Sequence, residues 1–258
     1  MSNRKRIYMI DELRGAAIIC MVVFHSFITM QSFDRFCGFG EKMFNFFLPA
    51  SPYFAGLFVV ICGMSCYFSH SNYKRGLKLL SVAVLLTAAT LLIDAYLIDD
   101  TAIIFGILHM LSVSILIFAL SRRLIDKIPV IIGLILNMFL FLFTYNIENR
   151  YLGIDGIFKI DLPSRLYDFY FLFPFGLCSD NFASADYYPL IPWFFLFMFG
   201  AYLGRTAISG YFPKFMYRKR FTFLSAVGKY TLWIYIFHQP IIYGLLYVSD
   251  LLLNLIGI

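Results

Sequence analysis

Charged residues are scarce in this chain of 258 residues: Asp, Glu, Lys and Arg make up 14% of it, whereas soluble domains usually carry about a quarter. Apolar residues make up 61%, and the mean hydropathy is +0.79. Aromatic residues alone account for 20%, with 31 Phe and 18 Tyr. The scarcity of charge excludes an ordinary soluble domain and predicts an integral membrane protein.

The sequence also lacks the short motifs of several enzyme classes. It contains no Walker motif, no GxGxxG and no GxSxG, so nucleotide hydrolysis and serine chemistry have no support. Its five Cys form no CxxC motif, and no His or Cys pair has the helical spacing of metal ligands, so no metal is expected. A disulfide between Cys37 and Cys178 is left open, because both fall in loops predicted to lie outside.

Seven apolar segments are long enough to cross a bilayer, which takes about 17 to 25 residues. They are predicted at 13–31, 52–70, 77–97, 102–120, 128–145, 190–208 and 227–249. Two further stretches, 32–51 and YDFYFLFPFGLC at 167–178, are predicted to be re-entrant or interfacial. The expected fold is all-α, a polytopic transmembrane helical bundle that forms one integral-membrane domain over residues 1–258.

Basic residues lie in short clusters between the apolar runs, which indicates cytoplasmic loops rather than binding to nucleic acid. The clusters comprise Arg4, Lys5, Arg6, Lys74, Arg75, Lys78, Arg122, Arg123, Lys127, Arg205, Lys214, Arg218, Lys219 and Arg220. All fall on one side if the N-terminus is cytoplasmic, and the C-terminus is then extracytoplasmic. No small-x-small cleavage site follows the first apolar run, so this run is expected to be a retained span in the inner membrane.

Three of the four His residues fall within predicted spans: His25, His109 and His238. An ionisable side chain at membrane depth costs a few kcal/mol, so each needs a function or a partner. At about 1.5 Å per residue, His25 and His238 lie about 16 Å from the cytoplasmic edge. His109 lies roughly 12 Å from the outer edge, so the three are predicted to share one layer. Simple interhelical hydrogen bonding remains an alternative for His109 and His238.

Arg14 and His25 are eleven residues apart, within about 20° of a whole number of helical turns, and therefore share one face of the first span. Such a stripe is expected to face a cavity rather than lipid. A neutral imidazole in that cavity is suited to general base catalysis on an alcohol or amine, with His109 and His238 as partners. Arg14 is predicted to hold an anionic donor. Tyr235, which lies three residues before His238 and therefore on the same face of that helix, is predicted to contact the acceptor.

Five sequence blocks carry a resemblance to a known family. In order, they are IDELRGAAIICMVVFHSF (10–27), FVVICGMS (58–65), FGILHMLSVS (105–114), DYYPLIPWFFLFMFGAYLGR (186–205) and GKYTLWIYIFHQPIIYG (228–244). They resemble bacterial relatives of the heparan-α-glucosaminide N-acetyltransferase catalytic domain, and the similarity covers nearly the whole chain. It implies transfer of an acetyl or other acyl group from cytoplasmic acyl-CoA to a saccharide outside.

The spacing of Arg14 and His25 also resembles the first span of membrane acyltransferases that O-acetylate bacterial surface glycans. In the heparan enzyme an Asn matches His25, and the catalytic His lies in the following loop. The corresponding loop here, 32–51, contains no His. The base is therefore expected to be His25, and an alcohol acceptor is at least as well supported as an amine.

The resemblance extends to further residues. Arg75 and Arg122 are expected to join Arg14 in holding acetyl-CoA from the cytoplasmic side. Asp94 and Asp186, at the outer ends of two spans, are expected to bind sugar hydroxyls, with ordinary solvated loop acids as the alternative. The expected partners are membrane lipid, acyl-CoA and a saccharide or glycolipid acceptor, without nucleic acid, and a homodimer is left open.

Two functions of other classes remain compatible with the sequence. A proton-coupled transporter or channel would use the three His residues as a relay. A non-catalytic subunit of an envelope glycan system would need neither a donor site nor an acceptor site.

Overall fold

The computed structural model describes residues 7–256, which form nine α-helices and a two-stranded hairpin. The basic cluster predicted at Arg4, Lys5 and Arg6 lies outside these residues. The helices are α1 Tyr8–Met30, α2 Asp34–Phe47, α3 Ser51–Ser65, α4 Asn72–Tyr96, α5 Ile107–Ile125, α6 Val130–Thr144, α7 Leu190–Ile208, α8 Thr222–Val227 and α9 Thr231–Ile256. The strands β1 Tyr151–Ile154 and β2 Phe158–Asp161 pair antiparallel, with Tyr151 opposite Asp161.

Within residues 7–256, seven helical segments are long and apolar enough to cross a membrane, which confirms the predicted all-α polytopic class. They are Tyr8–Met30, Asp34–Ser65, Asn72–Tyr96, Ile107–Ile125, Val130–Asn149, Leu190–Ile208 and Thr231–Ile256. Helices suit this environment because hydrocarbon offers no hydrogen-bond partner to the backbone. Large apolar side chains such as Leu85 and Ile131 are exposed, as expected of helices that contact lipid. The chain thus has the character of an integral membrane protein.

The segment 32–51, predicted to be re-entrant or interfacial, is mostly helical. It forms α2 and continues through a 3₁₀ turn at Leu48–Ala50 into α3, so the helical stretch that includes the second candidate span begins at Asp34 rather than at 52. Phe44 of α2 stacks on Phe24 of α1, with ring centroids 5.3 Å apart, so the segment packs against the first helix.

Other boundaries also differ from the predictions. α4 begins at Asn72 rather than 77, because the Ser71 hydroxyl caps it by accepting from the Lys74 amide at 3.3 Å. α5 begins at Ile107 rather than 102, and α9 at Thr231 rather than 227. The stretch 167–178 forms 3₁₀ turns and no α-helix, in agreement with the prediction that it does not cross.

The helices group into two compact units. One comprises the described residues up to Phe58 together with those from Phe212 onward, and the other comprises Val59–Tyr211. In the first unit α1 packs against α2, α8 and α9. In the second, α4 packs against α5, and α7 packs against α5 and α6. The single domain over 1–258 stays a prediction.

Small residues allow a close helix contact within the second unit. A Cβ added at Gly200 of α7 would lie 2.1 Å from the Val60 carbonyl oxygen, and one at Gly204 would lie 2.4 Å from that of Met64. Gly63 of α3 faces the same contact. Glycines four residues apart are a common way for spanning helices to approach backbone to backbone.

Candidate active site

The first unit brings two of the predicted His side chains together. The rings of His25 on α1 and His238 on α9 have centroids 5.1 Å apart, and their planes are nearly perpendicular, at 85°. His238 is buried and His25 is half-buried. Two residues 213 positions apart in the sequence thus form one imidazole pair.

Hydrogen bonds determine which ring nitrogen of each His carries its proton. His25 Nδ1 lies 2.9 Å from the Met21 carbonyl oxygen, and His238 Nδ1 lies 2.6 Å from that of Tyr235. A carbonyl oxygen can only accept, so Nδ1 is the protonated nitrogen in both neutral rings. The lone pair of each neutral imidazole is therefore on Nε2, where it can accept a proton.

A polar contact near the His pair joins the same two helices. The Thr29 hydroxyl lies 2.9 Å from the Gln239 side-chain oxygen and 2.9 Å from the His25 carbonyl oxygen. The sequence interpretation overlooked both residues. For Gln239 the sequence did offer an indication, because this residue directly follows His238 in the HQP block. This contact fixes α1 relative to α9 one turn beyond His25.

Arg14 lies at the other end of the stripe, about 16 Å along α1 from His25. Its Nη1 donates to Asp11 Oδ1 at 3.3 Å and to the Gly228 carbonyl oxygen at 3.4 Å. The Arg14 side chain is 21% exposed. It is therefore held by α1 itself and by the turn after α8, with part of its surface accessible.

Two glycines allow this arrangement by close backbone contact. A Cβ at Gly228 would lie 1.9 Å from the Asp11 carbonyl oxygen, and one at Gly15 would lie 2.1 Å from that of Leu224. Gly228 has a φ of −60°, so the lack of a side chain, not conformational freedom, matters there. The contact presents the Gly228 carbonyl to Arg14.

Glu12 is a second residue that the sequence interpretation overlooked. Its Oε1 accepts from the backbone amides of Arg220 at 2.7 Å and Phe221 at 3.0 Å, and the residue is only 6% exposed. A carboxylate with two amide donors forms charge-assisted hydrogen bonds that can compensate its burial. Glu12 thus attaches the start of α8 to α1. The acidic Glu12 inside the sequence block DELRG was the feature that could have indicated its role.

His109 lies in the second unit and has its own partners. Because α5 begins at Ile107, His109 lies in the first turn of its helix. Its Nδ1 accepts from the Gly106 amide at 3.3 Å, so the neutral ring carries its proton on Nε2. Nε2 lies 3.3 Å from the Thr87 hydroxyl. Both nitrogens are engaged in holding the turn before α5.

Asp94 and Asp186 have backbone partners in the second unit. Asp94 Oδ1 accepts from the amides of Thr101 at 2.8 Å and Ala102 at 3.1 Å. Asp186 Oδ2 accepts from the Ile107 amide at 3.1 Å. Both carboxylates are half-buried and organise the connection between α4 and α5. Both carboxylates therefore have defined hydrogen-bond partners in the protein instead of being fully solvated.

Arg75 is packed against two sulfur atoms in the second unit. Its Nη2 lies 3.1 Å from Cys62 Sγ, and its Nη1 lies 3.8 Å from Cys66 Sγ. Burial raises the pKa of the Cys66 thiol to about 12, although Arg75 opposes the rise. The Cys66 thiol is therefore neutral at physiological pH and does not cancel the charge of the guanidinium.

Arg122 belongs to a small cluster at the end of α5. Its Nε lies 3.5 Å from Asp126 Oδ2, and its guanidinium carbon lies 5.0 Å from the centre of the Tyr67 ring. The Tyr67 hydroxyl donates to Asp126 Oδ1 at 2.5 Å. Burial, followed by this contact, raises the pKa of Tyr67, so the phenol stays a donor. Arg122 is thus partly neutralised by Asp126.

The cysteines and possible metal ligands complete the inventory of reactive groups. All five Cys are free thiols, and Cys178 donates to the Tyr187 hydroxyl at 2.9 Å. Among residues 7–256 no group of three or more His, Cys, Asp and Glu side chains could hold a metal ion.

Comparison with known proteins adds one match. The model of a family described as heparan-alpha-glucosaminide N-acetyltransferase, catalytic, matches residues 6–240. No curated protein and no solved structure matches the chain significantly. The matched range contains Arg14 and His25 and ends two residues beyond His238.

Proposed function

Because the chain belongs to the heparan-α-glucosaminide N-acetyltransferase catalytic-domain family, we propose that it transfers an acetyl or other acyl group from acyl-CoA to an extracytoplasmic saccharide. Membership makes it a membrane enzyme of the acetyltransferase type. The acceptor group is a hydroxyl or an amine. The observation that carries the proposal is the contact of His25 with His238, on the helix that also bears Arg14.

In the proposed reaction His25 acts as the general base. Its Nε2 takes the proton from the acceptor O–H or N–H while that oxygen or nitrogen attacks the thioester carbonyl carbon. The carbon–sulfur bond breaks, CoA leaves as a thiolate, and the proton passes from His25 to the sulfur. The products are the acylated acceptor and CoA thiol. His238, 5.1 Å away, orients the His25 ring or the acceptor.

The donor is proposed to approach from the side of Arg14. A guanidinium suits the phosphates of CoA, and the extended pantetheine arm spans a distance comparable with the separation of about 16 Å between Arg14 and His25. Arg75 lies 3.1 Å from Cys62 Sγ, and burial keeps the Cys66 thiol beside it neutral. Arg75 and Arg122 are proposed as further cations that attract the donor.

The acceptor is proposed to lie near Tyr235, whose ring centroid is 5.7 Å from that of His238. Asp94 and Asp186 of the second unit are proposed to bind sugar hydroxyls, and each carboxylate also accepts from backbone amides. The proposed location is the inner membrane, with the N-terminus cytoplasmic and the C-terminus outside. The distribution of basic clusters supports this orientation.

The direct test uses the purified protein in lipid nanodiscs. Release of CoA thiol from acetyl-CoA is measured with an amino sugar, with a sugar that offers only hydroxyl groups, and with no acceptor. Release that depends on an acceptor supports the proposal. Absence of acetyl-CoA binding, together with proton flux in liposomes that requires His25 and His238, contradicts it and supports a proton-coupled transporter.

His109→Ala is expected to reduce stability more than catalysis. The change removes the acceptor of the Gly106 amide and the partner of Thr87, which costs about 1 to 2 kcal/mol and lowers the melting temperature by a few degrees. Turnover should fall less than about tenfold, since loss of a general base typically costs more. Thermal unfolding and thiol release check this. A severe loss of turnover at an unchanged melting temperature would make His109 a catalytic residue.

A further inference from the structure

The connection before α9 concentrates positive charge. Residues 212–230 carry five cations, Lys214, Arg218, Lys219, Arg220 and Lys229, and no Asp or Glu occurs from 212 to 249. Arg218, Lys219 and Arg220 are exposed. Within the described range 7–256, these three form no ion pair with a carboxylate. Among the described residues, the charge of these three side chains is therefore not balanced by an ion pair.

A pocket of about 160 Å³ lies between this segment and the first turns of α1. Arg218 and Arg220 of the segment contribute to its lining, as do the apolar side chains of Met9 and Leu13 of α1. Glu12 is also part of the lining. The pocket thus combines two guanidinium groups with an apolar wall.

Glu12 holds the pocket together through hydrogen bonds with the backbone and, in the described part of the chain, forms no ion pair with Arg218 or Arg220. Its Oε1 accepts hydrogen bonds from the backbone amides of Arg220 and Phe221, at 2.7 and 3.0 Å. The carboxylate therefore holds the backbone of the segment against α1. The guanidinium groups stay available to an anion from outside the chain.

Exposed aromatic side chains lie in the same segment as the cations. Phe215 is 45% exposed, Phe221 is 60% exposed and Phe223 is 70% exposed. The Arg220 guanidinium lies 5.4 Å from the centre of the Phe215 ring. Aromatic and basic side chains together, directly before a spanning helix, are typical of the boundary between membrane and water.

We propose that this pocket binds the phosphate headgroup of an anionic phospholipid. Guanidinium groups pair with phosphate through charge-assisted hydrogen bonds, and Met9 and Leu13 suit the adjoining glycerol and acyl chain. The pocket is smaller than the roughly 300 Å³ or more of sites for drug-sized ligands, which disfavours a nucleotide such as that of CoA. Anionic lipids are also attracted by the basic residues around the pocket. The site is additional to the proposed acyl transfer and does not depend on it.

The test compares lipid retention by native mass spectrometry of the whole chain released from detergent. Phosphatidylglycerol and phosphatidylcholine are offered in equal amounts. The intact protein should retain phosphatidylglycerol preferentially, and R218Q/R220Q should reduce this preference about tenfold. R123Q/K127Q is the matched control, because Arg123 and Lys127 are exposed cations elsewhere in the chain, and its preference should stay unchanged.

The melting temperature of each variant in neutral lipid shows whether it is folded. R218K/R220K, which retains the charge, provides a second variant and should keep most of the preference. Equal retention of the two lipids by the unsubstituted protein, or an unchanged preference in R218Q/R220Q, overturns the proposal. A loss of CoA affinity in R218Q/R220Q, with or without the lipid effect, also overturns it and assigns the pocket to the donor.

Discussion

His25→Ala is expected to lower acceptor-dependent acyl transfer by about a thousandfold, the range of a lost general base. Alanine cannot accept the acceptor's proton, and the Nδ1 hydrogen bond to Met21 that orients the ring is lost with it. Acetyl-CoA binding should change little, because Arg14 lies about 16 Å away along α1. Thiol release gives turnover, and titration calorimetry with acetyl-CoA gives binding.

His70→Ala is the matched control for this substitution. His70 is exposed and follows α3, so its removal should leave turnover within about twofold. His25→Gln removes the base while keeping a polar side chain, which separates lost chemistry from lost folding. Turnover retained in His25→Gln, or an equal loss in His70→Ala, would show that His25 is not the base.

Gly228→Val is expected to destabilise the first unit severely. The valine Cβ would lie 1.9 Å from the Asp11 carbonyl oxygen, which belongs to the backbone and cannot move without α1. Overpacking of this kind typically costs about 1 to 3 kcal/mol and sometimes more. The melting temperature should fall by about 5 °C or more. Displacing the turn would also remove the Gly228 carbonyl from Arg14, so KM for the donor should rise.

Gly244→Ala provides the control within the same unit. Gly244 lies inside α9, and a Cβ added there meets no atom within 4 Å. Alanine is the better helix former, so this variant should be as stable as the unsubstituted protein or more stable. A Gly228→Val protein that melts and binds acetyl-CoA as Gly244→Ala does would disprove the close contact between α1 and the turn.

Membrane character, the number of spans and the family were all readable from the order of residues. Each depends on local properties: the length of apolar runs, the scarcity of charge, and motifs such as the HQP block. The shared face of Arg14 and His25 was also readable, because helical periodicity relates residues within one helix. Helix starts were less accessible, since the Ser71 cap and the packing of α2 on α1 shift them.

The composition of the site depended on tertiary structure. Periodicity cannot relate α1 to α9, so the approach of His238 to His25 and of Gln239 to Thr29 follows only from packing. The same holds for Glu12, whose amide donors lie 208 and 209 residues away. The order of residues thus identified the membrane protein, its family and one polar stripe. Contacts between distant helices paired His25 with His238. Hydrogen bonds to Gly106 and Thr87 placed His109 at the turn before α5. Both outcomes depend on proximity in three dimensions, which the order of residues does not contain.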